Sequence, residues 1–139
     1  MLFGKLNLIN TSMYSTVIIE AEYKSMSILY TYFNKENKIR IIGTFSSVSN
    51  ALPFIRKNNP KIVVLDIYLL EKHGTKLLTQ FQTTNNKPEI VLTSYFYDNT
   101  LKYYCKEVFD YLLKPVSSED IKSLIHKISK AGSVQFNTL

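Results

Sequence analysis

Five residues of this chain carry side chains suited to one kind of chemistry: Glu20, Glu22, Asp66, Thr93 and Lys114. Each stands at or just after the end of a short aliphatic run. Carboxylates gathered in this way suit a hard cation such as Mg2+, which takes oxygen ligands and keeps part of its own water. One carboxylate can instead attack phosphorus as a nucleophile. A hydroxyl and an ammonium from neighbouring runs would then neutralise and orient the phosphoryl oxygens, because phosphoryl transfer depends mainly on positioning and charge stabilisation. The set makes chemical sense only if the fold brings the five together.

The elements that must do so can be read from hydrophobic periodicity. Thr16-Val17-Ile18-Ile19 predicts a first strand that ends in Glu20-Ala21-Glu22. Met26, Leu29, Tyr30 and Phe33 then form one helical stripe, with Lys24 and Ser25 off it. Ile39 to Gly43 is a second strand. Ser46 or Ser47 caps a helix with Val48, Ala51, Leu52 and Ile55 on its inner face, and Asn59-Pro60 stops it. Ile62-Val63-Val64-Leu65 is aliphatic without interruption up to Asp66, as expected of a strand covered on both faces.

Gly74, Leu77, Leu78 and Phe81 mark the third helix, which leaves the residues between Asp66 and Gly74 as a loop. Glu89 to Thr93 is the fourth strand. Leu101, Tyr104, Cys105 and Val108 give a fourth helix behind a cap at Asp98, and Asp110 to Leu113 a fifth strand before Lys114-Pro115. Ser117 and Asp120 have capping-box spacing at the head of a last helix whose apolar face is Ile121, Leu124, Ile125 and Ile128. Residues 1–14 read as an extension, 15–130 as the domain and 131–139 as a frayed tail.

Five strand–helix units joined by short connections predict an α/β fold: a right-handed, doubly wound, flavodoxin-like parallel sheet in the order 2-1-3-4-5 with helices on both faces. Ligands of such sheets bind beyond the carboxyl ends of the strands. All five chemical residues fall on that rim.

Composition narrows the remaining classes. A length of 139 residues fits one domain. With 45% hydrophobic and 20% charged residues the chain matches ordinary globular proteins. One cysteine, Cys105, and two histidines make neither an internal disulfide nor a zinc set. The N-terminus lacks a secretory core and no apolar run reaches spanning length, so a cytoplasmic protein with no membrane partner is expected. The net charge is +6, but its lysines are scattered as on solvated helix faces, and no direct nucleic-acid binding is expected.

Ten tyrosines and eight phenylalanines suit a core and half-buried surface better than a base-stacking platform. His73, in the expected loop, and His126, on the polar side of the last helix, lack partners that would make them catalytic. No nucleophile–base pair is evident, so turnover catalysis is not expected. A flavin or nucleotide binder would need a phosphate-cradling loop after the first strand, where Glu20-Ala21-Glu22-Tyr23 would repel phosphate.

Four segments, in order, resemble the receiver domains of bacterial two-component response regulators, over Ser15 to Ser129. Ile18-Ile19-Glu20-Ala21-Glu22 stands where the family has an acidic pair, and Val63-Val64-Leu65-Asp66 with Gly74 resembles its phosphorylation segment. Leu92-Thr93-Ser94 resembles the hydroxyl-bearing strand end. Phe109-Asp110-Tyr111-Leu112-Leu113-Lys114-Pro115 is similar to the lysine segment, in wording most like receivers of LytTR-type regulators.

The resemblance implies that Asp66 accepts a phosphoryl group from a histidine kinase or phosphotransfer protein. It implies that Glu20, Asp66 and the backbone carbonyl of Tyr68 contact Mg2+, and that Thr93 and Lys114 bind the phosphoryl oxygens. Thr93 and Tyr111 would form the switch that reshapes the face of the fourth helix, fifth strand and fifth helix toward a downstream protein. A homodimer would use that face through Lys102, Tyr103, Tyr104 and Asp110. The Lys114–Pro115 peptide bond would be cis.

This chain departs from the family pattern at three places. Ala21 replaces one acid, Glu20 stands for the commoner Asp, and Leu70 replaces a proline after the acceptor. With one metal-coordinating charge missing, Mg2+ would be held weakly. A phosphorylation-independent pseudo-receiver that works as an interaction module is the alternative.

Overall fold

The computed structural model describes residues 13–74, 76–83 and 86–137. Most of the 1–14 extension therefore lies outside the described residues. Strand β1 (Tyr14–Ile19) is followed by α1 (Tyr23–Asn34), β2 (Ile39–Phe45), α2 (Val48–Asn58) and β3 (Ile62–Asp66). Then come α3 (Ile67–His73), α4 (Lys76–Gln82), β4 (Glu89–Ser94), α5 (Asn99–Cys105), β5 (Asp110–Leu113) and α6 (Ser118–Asn137). The strands are parallel and ordered β2-β1-β3-β4-β5, the topology expected from the alternation of runs.

Alternate residues of the central strands feed two separate cores. Val17, Ile19, Val63, Leu65 and Leu92 face α2, α3, α4 and α5, whereas Ile18, Val64, Val91 and Leu112 face α1 and α6. This explains why β3 is buried along its whole length and reads as uninterrupted aliphatic. Ser47 caps α2 by accepting from the Asn50 N–H at 3.3 Å, and Asn59 ends that helix with a left-handed φ of 45°. The Ser117–Asp120 box is reciprocal, both hydrogen bonds being 3.1 Å.

The structure corrects the sequence reading in five places. Helix α5 ends at Cys105 and leaves Val108 in the connection to β5, packed against the core. The segment after Asp66 is helix α3, not a loop; Gly74 ends it with φ 114° instead of opening the next helix, and His73 is its exposed last residue. On α1, Ser25 is buried and Tyr30 exposed, the reverse of the expected stripe, because Ser25 hydrogen-bonds the Glu22 carboxylate. Tyr104 is buried in the core against Tyr103, so it is not available to a dimer face. Helix α6 continues to Asn137 where a frayed tail from 131 was expected.

Gly43 on edge strand β2 leaves no room for a side chain. A Cβ there would lie 2.9 Å from Phe45 and 3.0 Å from Phe54, whose rings pack together. Gly43→Ala is therefore expected to cost about 1–2 kcal/mol in urea unfolding, the lower part of the overpacking range because both contacts are movable rings.

Candidate functional site

The carboxyl ends of β1, β3 and β4 open into a cleft of ≈ 560 Å³, which Lys114 closes from beyond the end of β5. Glu20, Glu22, Asp66, Glu71 and Asp98 contribute carboxylates to its lining, and Lys114 the one lining ammonium. The chain is basic as a whole, so this wall is a local reversal of charge.

At its floor, Lys114 Nζ lies 2.5 Å from Glu20 Oε1 and donates a 3.0 Å hydrogen bond to Asp66 Oδ1. All three residues are buried. Glu20 Oε1 and the ammonium thus form a buried ion pair. The second Glu20 oxygen accepts from the Glu22 N–H at 3.0 Å.

Burial alone would lower the Lys114 pKa, but the contacts with Glu20 and Asp66 together outweigh it and hold the ammonium above the ordinary lysine value. A raised folded-state pKa gives stability that is complete below the ordinary value of 10.5 and is lost as pH rises through the folded value. Lys114→Met should thus destabilise the chain by roughly 2 kcal/mol at neutral pH, below the 3–5 typical of a fully enclosed pair because Asp66 borders an open cleft. The difference from wild type should stay constant from pH 6 to 9 and shrink only at strongly alkaline pH. Urea unfolding across that range checks both statements.

Thr93 pairs in register with Asp66 on the adjacent strand. It is fully buried, and its hydroxyl has no hydrogen-bond partner. Leaving such a group unpaired costs about 1–3 kcal/mol, which an incoming oxygen atom would offset. The cleft wall at the end of β4 is formed by Ser94, Tyr95 and Phe96, so Thr93 stands behind it.

Glu22 is engaged away from the floor. Its Oε1 accepts from Ser25 Oγ at 2.5 Å and from the Tyr95 hydroxyl. Those two bonds, Ser25 first, hold its carboxyl below the usual carboxylate range. Glu22 therefore does not stand in for the acid that Ala21 lacks.

Tyr68 lies in the first turn of α3, with its ring exposed on the cleft rim. A helical carbonyl points along the axis to the N–H four residues ahead, so a metal contact from Tyr68 would require this turn to open. Among the described residues no three His, Cys, Asp or Glu side chains converge as a metal ligand set. Mg2+ can be held by one or two carboxylates and its own waters, and Glu20 with Asp66 fits that minimum.

Tyr111 is half buried on β5 and stacks on Tyr97, with centroids 5.2 Å apart and 20° between planes. The Lys114–Pro115 peptide is cis, as expected. His126 is exposed, and burial pushes the Cys105 thiol up. Tyr95, which contacts both Glu22 and Lys114, was missed from sequence because no motif marks it.

Comparison with known proteins bears on this arrangement. The family model described as response regulator receiver domain matches residues 16–126. Protein MrkE of Klebsiella pneumoniae is 26% identical over 121 residues, covering 87% of this chain and 45% of the relative. The sensory transduction protein LytT of Bacillus anthracis is 28% identical over 123 residues, covering 88% and 50%. The chain thus spans about half the length of the curated relatives it matches.

Among solved structures, the response regulatory domain of MrkE from Klebsiella pneumoniae superposes with a TM-score of 0.71 at 26% identity, covering 84% of this chain and 96% of that one. The REC domain of AraT, a response regulator from Geobacillus stearothermophilus, shares the fold with a TM-score of 0.75 at 14% identity, covering 88% and 98%. No helix among the described residues is long and apolar enough to cross a membrane. On the family match across most of its length, this chain belongs to the response regulator receiver domains of two-component systems.

Proposed function

We propose that the chain is a cytoplasmic receiver that takes a phosphoryl group on Asp66 and signals by protein–protein contact, without turnover catalysis of its own. The observation that carries this reading is the floor of the cleft. A buried aspartate holds a lysine ammonium at 3.0 Å, beside an orphaned threonine hydroxyl in register on the next strand.

An Asp66 oxygen would form its bond to phosphorus as the phosphorus–nitrogen bond to a donor histidine breaks, the departing imidazole taking a proton. The donor is a histidine kinase or phosphotransfer protein. Lys114 and Thr93 would receive the phosphoryl oxygens, one by charge and one by a hydrogen bond. Mg2+, held by Glu20 and Asp66, would supply charge neutralisation at phosphorus. A dianion opposite Lys114 would interact differently with the two arrangements of Thr93 and Tyr111, and that difference is what a population shift toward a downstream partner requires.

The test is incubation of the full chain with a small-molecule phosphodonor and Mg2+, followed by intact-mass measurement. Gain of one phosphoryl group is expected. A chain that stays unmodified at saturating donor and metal would make the phosphorylation-independent interaction module the better account. One observation favours that second reading: Ala21 brings no acid to the cleft.

A further inference from the structure

The end of the sheet opposite the acceptor cleft carries the reverse charge. Lys38, Lys61 and Lys87 are exposed just before the entries of β2, β3 and β4, and helices α1 and α2 finish at the same end with Lys35, Arg56 and Lys57. Backbone bonds fix the row. The Tyr14 N–H donates to the Lys38 carbonyl at 2.6 Å, the Lys61 N–H to the Ser15 carbonyl at 2.8 Å, and the Glu89 N–H to the Lys61 carbonyl at 2.8 Å. The order β2-β1-β3-β4 therefore spreads these cations over roughly 14 Å, at about 4.8 Å per strand.

None of the six forms an ion pair among the described residues. Lys38 bonds the Ser129 hydroxyl, and Lys35 lies over the Tyr32 ring. A hollow of ≈ 680 Å³ at the entries of β1, β3 and β4 is lined by Lys61 and Lys87 with Ser15 and Asn59, and no carboxylate borders it. Of the acids near this end, Glu36 is held by Lys122, while Glu89 and Glu107 border a separate cavity toward β5. Residues 1–12 bring Lys5 and no acid.

Basic residues at helix ends have an ordinary explanation, since Lys35, Arg56 and Lys57 complement the carbonyl ends of their helices. A sheet has almost no net dipole, so nothing local calls for cations at three strand entries. The scatter of these lysines is along the chain and not in space. Their surroundings select the partner. Met13 is the one large hydrophobic exposed at this end among the described residues, which leaves a membrane little to bury and a protein partner no apolar centre. No exposed aromatic stands in the row to stack on unpaired bases. Duplex nucleic acid needs neither, and offers one phosphate charge per about 1.7 Å of axis.

We propose that the basic face at the strand entries, centred on Lys61 and Lys87, binds the phosphate backbone of duplex nucleic acid without reading its sequence. The carboxylates of the acceptor cleft orient the domain, because a duplex repels that end and attracts this one. Asp66 stays open while the face is occupied, so this contact is independent of the acceptor reading.

The experiment is fluorescence anisotropy of a labelled mixed-sequence DNA duplex of about 20 base pairs, titrated with the full chain from about 20 to 200 mM salt. Binding should weaken with salt by a log–log slope of about 0.9 per phosphate contacted, and a second duplex of unrelated sequence should bind equally. Lys61→Gln combined with Lys87→Gln should weaken binding roughly tenfold or more and flatten the slope by about 1.8. The same two positions changed to Arg should bind like wild type. Lys24→Gln combined with Lys76→Gln removes equal charge from exposed first turns of α1 and α4 on the acceptor side, and should change affinity less than about twofold. Absence of salt-dependent binding at the lowest salt, or equal weakening by the two glutamine pairs, would overturn the proposal. Cosedimentation with phosphatidylserine vesicles in preference to the duplex would overturn it in favour of a membrane.

Discussion

Asp66→Asn should take up no phosphoryl group under conditions that label the wild type. The amide has nearly the size of the carboxylate but no negative charge, and its oxygen is a poor nucleophile toward phosphorus. The fold should survive the change. Lys114 keeps its 2.5 Å contact with Glu20, so the variant loses one of two anionic partners without leaving a buried charge alone. A urea-unfolding midpoint close to that of wild type would show that a lost label reflects lost chemistry. Hydroxylamine supplies a second readout, since it releases an acyl phosphate and leaves phosphoserine or phosphotyrosine untouched. A hydroxylamine-resistant label that persists in Asp66→Asn would place the modification elsewhere and sink the acceptor assignment.

Much of this floor was legible in the sequence for a definite physical reason. A strand buried on both faces must be aliphatic throughout, so Asp66 stands out at the end of β3; Lys114 follows the Leu112-Leu113 pair of β5, a partly buried edge strand, and is marked by the proline after it. The order of strands then follows from short right-handed crossovers, and the rim follows from the order. Local signals with a backbone partner were equally readable. The Ser47 and Ser117 caps and the Asp98 cap, whose carboxylate accepts from the Leu101 N–H at 3.0 Å, all use neighbours within three residues.

What escaped the sequence depends on partners far along the chain. Helix α3 lacks a capping signal because Asp66, at its N-cap position, turns its side chain to Lys114, 48 residues away. Ser25 looks like a surface residue until Glu22 and Tyr95 converge on it, the latter from 70 residues on. Tyr104 was placed both on an inward helical stripe and on an outward dimer face; the stripe was the better guide, as its burial shows. The α6 extension beyond residue 130 includes Gly132, a helix-interior residue that costs about 1 kcal/mol relative to alanine, and so reads as a stop.

Ala21→Asp should raise both Mg2+ affinity and the rate of phosphoryl uptake. Ala21 is exposed and lines the cleft between Glu20 and Glu22, so a carboxylate added there reaches the cleft without displacing core side chains. It would give the hydrated ion a third acidic ligand beside Glu20 and Asp66, and one that Ser25 and Tyr95 do not already hold as they hold Glu22. Better-held metal means better neutralisation of the phosphoryl oxygens, and each ~1.4 kcal/mol gained in the transition state is about tenfold in rate. The added charge also has a cost. Without metal it stands near Glu20, Glu22 and Asp66, and each like-charge contact at about 4 Å in water opposes folding by roughly 1 kcal/mol. The variant should therefore unfold at lower urea than wild type in the presence of a chelator, with the gap closing as Mg2+ is added. About tenfold faster labelling at subsaturating Mg2+ should accompany that rescue. Identical Mg2+ dependence of unfolding in the two proteins would mean that the ion does not bind at this floor, and the role given to Glu20 and Asp66 as its ligands would fall with it.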